Sequence, residues 1–293
     1  MPYLGAVNSR FCLWASFLII SLVGLGLCIR ALALNGMPVA ESLVLRGLSC
    51  LAFVIFFAYR RQLSLIPKVL KTQILRAVLA GLALTLLTLS YNWLSASSVS
   101  VLSNVDVPLL VVLGPVIGVQ ATKRARLLSL ASIAFLVWYV ANLESQVNLA
   151  YGLGTLLSGT LLLCFGYLFI KKSMTEENQA VAILTPAVAI VLYGLIESAG
   201  HVAAALTPAN LALSALSGAC MFLAYIATMK LYDLTDIAIA EFPTLISSIV
   251  IQPVETLFLN EPMQAAYLLP SLGFVMMTFF IMNLQKPVLS HAT

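Results

Sequence analysis

SSVSVLSNVDVPLLVVLGPVIGVQ, residues 97–120, and DLTDIAIAEFPTLISSIVIQPVET, residues 233–256, are the two stretches from which the organisation of the chain can be read. An offset of 135 residues superposes Pro243 on Pro108 and brings the acids two residues earlier into register, Asp106 with Glu241. Gln120 then falls on Glu255. Each stretch contains the ~20 mostly apolar residues that a helix needs to cross a hydrocarbon core. Outward from them, similar segments recur at about 11–34, 40–59, 73–94, 98–119, 126–142, 150–170, 179–200, 209–230, 236–258 and 264–284. The spacing thus predicts an all-α integral membrane protein of ten transmembrane helices. Ten spans halve into five and five, residues 1–145 and 146–293. An odd number per half makes the second half enter the membrane from the opposite side, giving the inverted repeat found in many secondary transporters.

Composition leads to the same class. Of 293 residues 61% are hydrophobic and 9% charged, and the mean hydropathy is +1.05. A soluble domain carries roughly a quarter charged residues to cover its surface. The formal net charge of +4 is small and its cations are spread over short loops, which excludes a nucleic-acid groove. Five cysteines stand singly, without ligand-like spacing, so they read as small hydrophobes. The first apolar stretch is too long for a signal-peptide core and is expected to remain as a helix.

Orientation follows from the basic residues, which favour cytoplasmic loops. With the N-terminus inside, Arg10, Arg60, Arg61, Lys68, Lys71, Arg76, Lys123, Arg124, Arg126, Lys171, Lys172, Lys230 and Lys286 all fall on the inner side. Arg30 and Arg46 lie within or at the ends of the first two spans. Both termini are therefore expected in the cytoplasm, most simply of a bacterial inner (plasma) membrane.

Ionisable groups inside a span carry the functional information, because each costs about 2.5–3.5 kcal/mol on insertion scales and needs a partner or a cavity. Arg46, Asp106, Glu241 and Glu255 qualify. Arg46 and Asp106 lie about 9 Å and about 12 Å from the outer ends of their spans, within reach of one another. Two readings follow: a structural ion pair between the second and fourth spans, or an arginine fork for a substrate carboxylate or phosphate. Asp106 and Glu241 are candidates for alternating carboxylates of a transport cycle, with Glu241 the better proton acceptor and Glu255 facing the same pathway. Asn104 joins this candidate binding and coupling set. Pro108, Pro115, Pro243 and Pro253 are expected to kink the fourth and ninth spans, as gating points or as static bends. Tyr91 and Trp93 read as members of an interfacial aromatic belt or as lining of an outer vestibule. Glu41, Glu197 and Glu261 are expected to be solvated, and Asp233 and Asp236 to begin a helix.

Trp14, Ala15, Ser16 and Phe17 resemble the early W-G-S-x-F signature of the drug/metabolite transporter superfamily, in particular its ten-helix EamA-like members. The run Glu41 to Leu51, ESLVLRGLSCL, is similar to that family's E-x-x-x-x-R stretch and puts Arg46 on its arginine. LLLCFGYLFIKK resembles the segment ending in Tyr167, Lys171 and Lys172. EFPTLISSIVIQPVETLFLNEP places Pro243, Glu261 and Pro262 as the family's proline and terminal L-x-E are placed. Gln120 and Lys123 depart from the pattern, since the fourth span of the family ends in a glutamate. The resemblance implies spans one to four and six to nine around a central cavity, with the fifth and tenth at the periphery, and the movement of small metabolites.

Two histidines leave almost no material for a Ser-His or His-metal site, so an enzyme is not expected, nor a metal or cofactor. The reading is a secondary transporter, an exporter or exchanger, of a small polar metabolite such as an amino acid, working by alternating access and with proton coupling as an option. A nucleotide-sugar or other phosphorylated-metabolite antiporter of the same superfamily is the alternative. It is disfavoured because only Arg46 stands well inside a span while two phosphates call for several cations. A membrane sensor or scaffold is the non-transporting alternative. The partners expected are a small-molecule substrate and the lipid bilayer, with a homodimer as an option and no nucleic acid.

Overall fold

The computed structural model describes residues 9–113, 122–143, 148–198, 206–235, 240, 242–261 and 265–284. The described elements are all helices: α1 (Ser9–Leu34), α2 (Val39–Arg61), α3 (Leu70–Ser90), α4 (Ala96–Ser103), α5 (Asp106–Leu113), α6 (Lys123–Ala141), α7 (Leu149–Glu176), α8 (Gln179–Glu197), α9 (Pro208–Leu234), α10 (Phe242–Leu259) and α11 (Ala265–Leu284). Seven of them, α1, α2, α3, α6, α8, α9 and α10, are each long and apolar enough to cross a membrane. α7 and α11 carry shorter apolar stretches, 149–165 and 268–281.

Local chemistry sets the helix ends. Thr122, Asn178 and Thr207 accept hydrogen bonds from backbone N–H groups of the first turns of α6, α8 and α9, satisfying donors that a helix start leaves free. Pro208 follows Thr207 at the start of α9, where a missing N–H costs nothing. Gln62 ends α2 in the left-handed region, and Asn260, which follows α10, lies there too (φ 55°).

The fourth predicted span, 98–119, does not run as one helix. It divides into α4 and α5 at Asn104 and Val105. Pro108 supplies the reason, since it has no N–H to give to the carbonyl of Asn104 one turn earlier. Pro243 stands one residue after Phe242, where the described part of α10 begins; Glu241 before it lies outside the described residues. Pro253 lies inside α10, and Pro186 and Pro270 lie inside α8 and α11. Pro115 lies outside the described residues.

α1 packs on α9, α3 on α7, α2 on α8 and α6 on α11; α2 also meets α9, α3 meets α8, and α10 meets α1 and α4. Large apolar side chains such as Ile20, Phe56, Val137 and Leu257 point outward and exposed. Hydroxyls and amides point inward: Gln252 Nε2 donates to Ser271 Oγ at 3.1 Å, and Ser132 Oγ meets Thr278 Oγ1 at 3.2 Å. An apolar exterior over a hydrogen-bonded interior is the arrangement that a hydrocarbon solvent selects.

The two ends of the bundle are distinct. At one, Asn35 Nδ2 donates to Asn210 Oδ1 (2.9 Å), joining the start of α9 to the α1–α2 turn. At the other, Asn178 Nδ2 donates to Ser64 O (2.7 Å) and Val69 N to Glu177 Oε1 (2.9 Å), joining the α2–α3 and α7–α8 connections. The second end carries Arg60, Arg61, Lys68 and Lys71 and is referred to below as the basic end.

Candidate functional site

Among the described acids Glu255 has the lowest exposure. It is 2% exposed on α10, and its two carboxylate oxygens accept the backbone N–H groups of Ala96 (2.5 Å) and Ser97 (2.8 Å). A carboxylate at a helix start takes up free donors and meets the positive end of the helix dipole. Glu255 therefore caps α4 together with the N-cap Ser95, whose Oγ accepts the N–H of Ser98 (3.1 Å), and is bound to that helix, where the sequence expected it to line a pathway with Glu241. Glu241 itself lies outside the described residues.

Beside this cap, Arg30 of α1 forms the main ion pair of the end opposite the basic one. Its Nε and Nη2 both donate to Glu261 Oε1 (2.8 and 2.6 Å), and Nη1 donates to the backbone carbonyl of Tyr91 (2.6 Å). Glu261 is thus paired and partly buried, a correction to its expected solvation. Glu41, also expected in water, is buried in the first turn of α2. Tyr91 is buried beneath this clasp, whereas a belt residue would face lipid. Trp93 behaves more as a belt residue does, with its ring 6.2 Å from that of the exposed Tyr151. The clasp joins α1, the end of α3 and the exit of α10. The small cavity next to it, between Met37, Ser42, Thr88 and Asn92, has a volume of about 10 Å³, too little for a metabolite.

The break between α4 and α5 is held by side chains. Asn104 Nδ2 donates to Ser100 O (2.8 Å) and to Ser248 Oγ of α10 (2.6 Å). Ser100 Oγ donates to Ser248 Oγ at 3.1 Å. Asp106 opens α5 with Oδ1 accepting the N–H of Val107 (2.8 Å), and the Cys164 thiol lies 3.9 Å from the Asp106 carbonyl.

Arg46 is 2% exposed on α2, and Nη2 donates to Thr88 Oγ1 of α3 at 2.7 Å. Its Nε has no acceptor among the described residues. The expected meeting with Asp106 does not occur: the guanidinium sits against α3, with Tyr91, Cys50 and Tyr225 as its ionisable neighbours. Arg76, counted among the inner-side cations at the start of the predicted 73–94 span, is buried in α3, with Nη2 donating to Ala182 O of α8 at 2.9 Å. Sequence reasoning had a signal for it. Gln73 and Arg76 stand three residues apart, one face of a helix that begins at Leu70, earlier than predicted. Gln73 Oε1 accepts Thr185 Oγ1 (2.8 Å) on that same α8 face. Asp233, expected to begin a helix, lies in the last turn of α9, 3.4 Å from Lys230.

All five cysteines are free. Among the described residues no group of three His, Cys, Asp or Glu side chains is arranged to hold a metal. The fold and its interior define an apolar, helical, multi-pass membrane-protein architecture with cations buried in its core. No family model matches the chain, and no curated protein matches it.

Proposed function

We propose that the protein is a secondary transporter, an exporter or exchanger of a small polar metabolite, working by alternating access. The observation that carries the reading is the broken fourth span. A helix interrupted at Asn104, with its loose polar groups turned to Ser248 of α10, is the device by which bundle transporters bring backbone and side-chain polarity to mid-membrane. Helix pairing supports an inverted repeat of ten spans, with α4 and α5 as one broken span. Exchanging the halves turns the α1–α9 contact into α7–α3 and α2–α9 into α8–α3, while α2–α8, α4–α10 and α6–α11 map onto themselves. Resemblance to the EamA-like transporters agrees with a peripheral α6 and α11. The clasp of Arg30, Glu261 and Tyr91 then closes the outer side. A phosphorylated metabolite is the alternative, and the second buried arginine favours it more than the sequence did.

Flux of a metabolite panel through proteoliposomes, with and without a pH gradient, tests the proposal. At least one compound is expected to move; movement of none under any gradient leaves the sensor or scaffold reading. Cysteine probes at Arg61 and Lys123 are expected to react from the cytoplasmic side and one at Thr207 from outside. Labelling of Thr207 from the cytoplasm removes the inverted repeat. Under proton coupling, Glu241→Gln is expected to lose pH-driven net flux and keep substrate exchange.

A further inference from the structure

Arg76 stands seven residues into α3 and is 4% exposed. One nitrogen reaches the Ala182 carbonyl, while Nε and Nη1 have no acceptor among the described residues. Arg46 is in the same condition, with a single neutral hydroxyl as partner and Nε unused. Neither guanidinium belongs to an ion pair among the described residues; the pairs there are Arg30–Glu261 and Lys230–Asp233. Burying a cation without a counter-charge is expensive, and a well-packed apolar residue is usually the more stable choice at such a position. Two arginines at that cost point to a charge that arrives from outside the fold.

Their placement says what sort of charge. Thr88, which holds Arg46, and Arg76 are twelve residues apart on α3, about 18 Å along the helix. The two arginines are therefore held at different levels of α3, Arg76 nearer the basic end. Tyr225 of α9 lies within electrostatic reach of both. Beyond Arg76, Ala182 also lines a cavity of about 120 Å³ at the basic end, shared with Gln179, Met229 and Tyr232. Arg76 thus stands on α3 between Thr88, the partner of Arg46, and the basic end, where its own partner Ala182 borders that cavity. Its Glu177 and Asp233 make it no free-standing anion trap, which suits passage better than storage.

We propose that Arg46 and Arg76 are two successive oxyanion stations on one path between α2, α3, α8 and α9, and that the cargo is a small organic acid. A planar fork of N–H donors matches carboxylate and phosphate alike. Amino acids fall within the class through their carboxylate. Passage rests on the transporter reading above; binding at the two stations does not.

The test uses the purified full-length chain in nanodiscs, with alanine, succinate and glycerol phosphate as probes and choline as a cation control. At least one of the three oxyanions is expected to raise the melting temperature saturably at millimolar concentration, and choline is not. Arg76→Gln and Arg46→Gln are each expected to weaken that binding about tenfold or more, equivalent to about 1.4 kcal/mol. Unliganded Arg76→Gln should melt no lower than wild type, because a buried unpaired charge has been removed. A purely structural arginine gives the opposite pattern, lower melting with unchanged binding, and that result overturns the proposal. So does an absence of stabilisation by all three oxyanions. Counterflow in proteoliposomes separates the two ideas. Binding that needs both arginines but gives no flux leaves the stations and removes the transporter. Flux that survives both substitutions leaves the transporter and removes the stations. Succinate against glycerol phosphate decides between carboxylate and phosphate.

Discussion

Arg30 and Arg76 are the same residue in helices of the same bundle, and their surroundings differ completely. Arg30 uses Nε and Nη2 on one carboxylate and Nη1 on a carbonyl, at an end of the bundle where its side chain and that of Glu261 keep some access to water. Arg76 is deeper and has one neutral carbonyl. Where the cation is satisfied by the fold, it ties helices together; where the fold leaves N–H groups unused, the arginine is available to something else. Glu255 extends the contrast to acids. It is as buried as Arg46, but both of its oxygens are taken by the start of α4, so it belongs with Arg30.

Substitutions at satisfied groups should therefore cost stability, and those at unsatisfied groups should cost function. The largest stability effect is expected at Glu255→Ala, which leaves the buried Ala96 and part-buried Ser97 N–H groups without acceptors and should lower unfolding free energy by about 2–4 kcal/mol. Denaturant titration in detergent measures it, and a loss as small as that of an exposed surface change would remove Glu255 as a cap of α4. Glu261→Ala strands Arg30 but leaves it partly hydrated, so a smaller cost of about 1–2 kcal/mol is expected. In a cysteine-free background it should also speed thiol labelling at Asn92 from outside, because the clasp beside that position has opened. Arg46→Lys should change stability little and reduce transport about tenfold, since an ammonium lacks the planar fork. Normal flux in that variant would return Arg46 to the satisfied, structural group. Ser248→Ala removes one acceptor of Asn104 across α4 and α10 and should cost about 1 kcal/mol. Lys230→Ala breaks an exposed pair and should shift stability by less than about 0.5 kcal/mol, the lower bound of the comparison.

Much of the fold was legible in the chain and rather less of the site. The apolar segments and the break that Pro108 makes could be read one segment at a time. Arg46 could be read too, because an arginine among apolar neighbours is conspicuous wherever it points. Arg76 was grouped with Lys68 and Lys71 as an inner-side cation and so left out of the candidate binding set, although Gln73 marks the helix face it shares. Arg30 was placed within or at the end of the first span without a partner, and Glu261 at a helix end in water. They are 231 residues apart, and nothing local in either neighbourhood names the other. Glu255 and Ala96 are 159 apart and equally silent about each other.

What the sequence determined by itself is the solvent of the protein: residue by residue, transfer from water to hydrocarbon adds up along a segment, and the sum needs no knowledge of neighbours. Helix starts are determined nearly as locally, by a proline or a capping side chain within one turn. The tertiary structure alone decided which charges are satisfied. That depends on the depth and rotation of helices brought together from distant parts of the chain. A shift of one residue turns a side chain by about 100° around its helix, enough to move a guanidinium from a carboxylate to a neutral carbonyl.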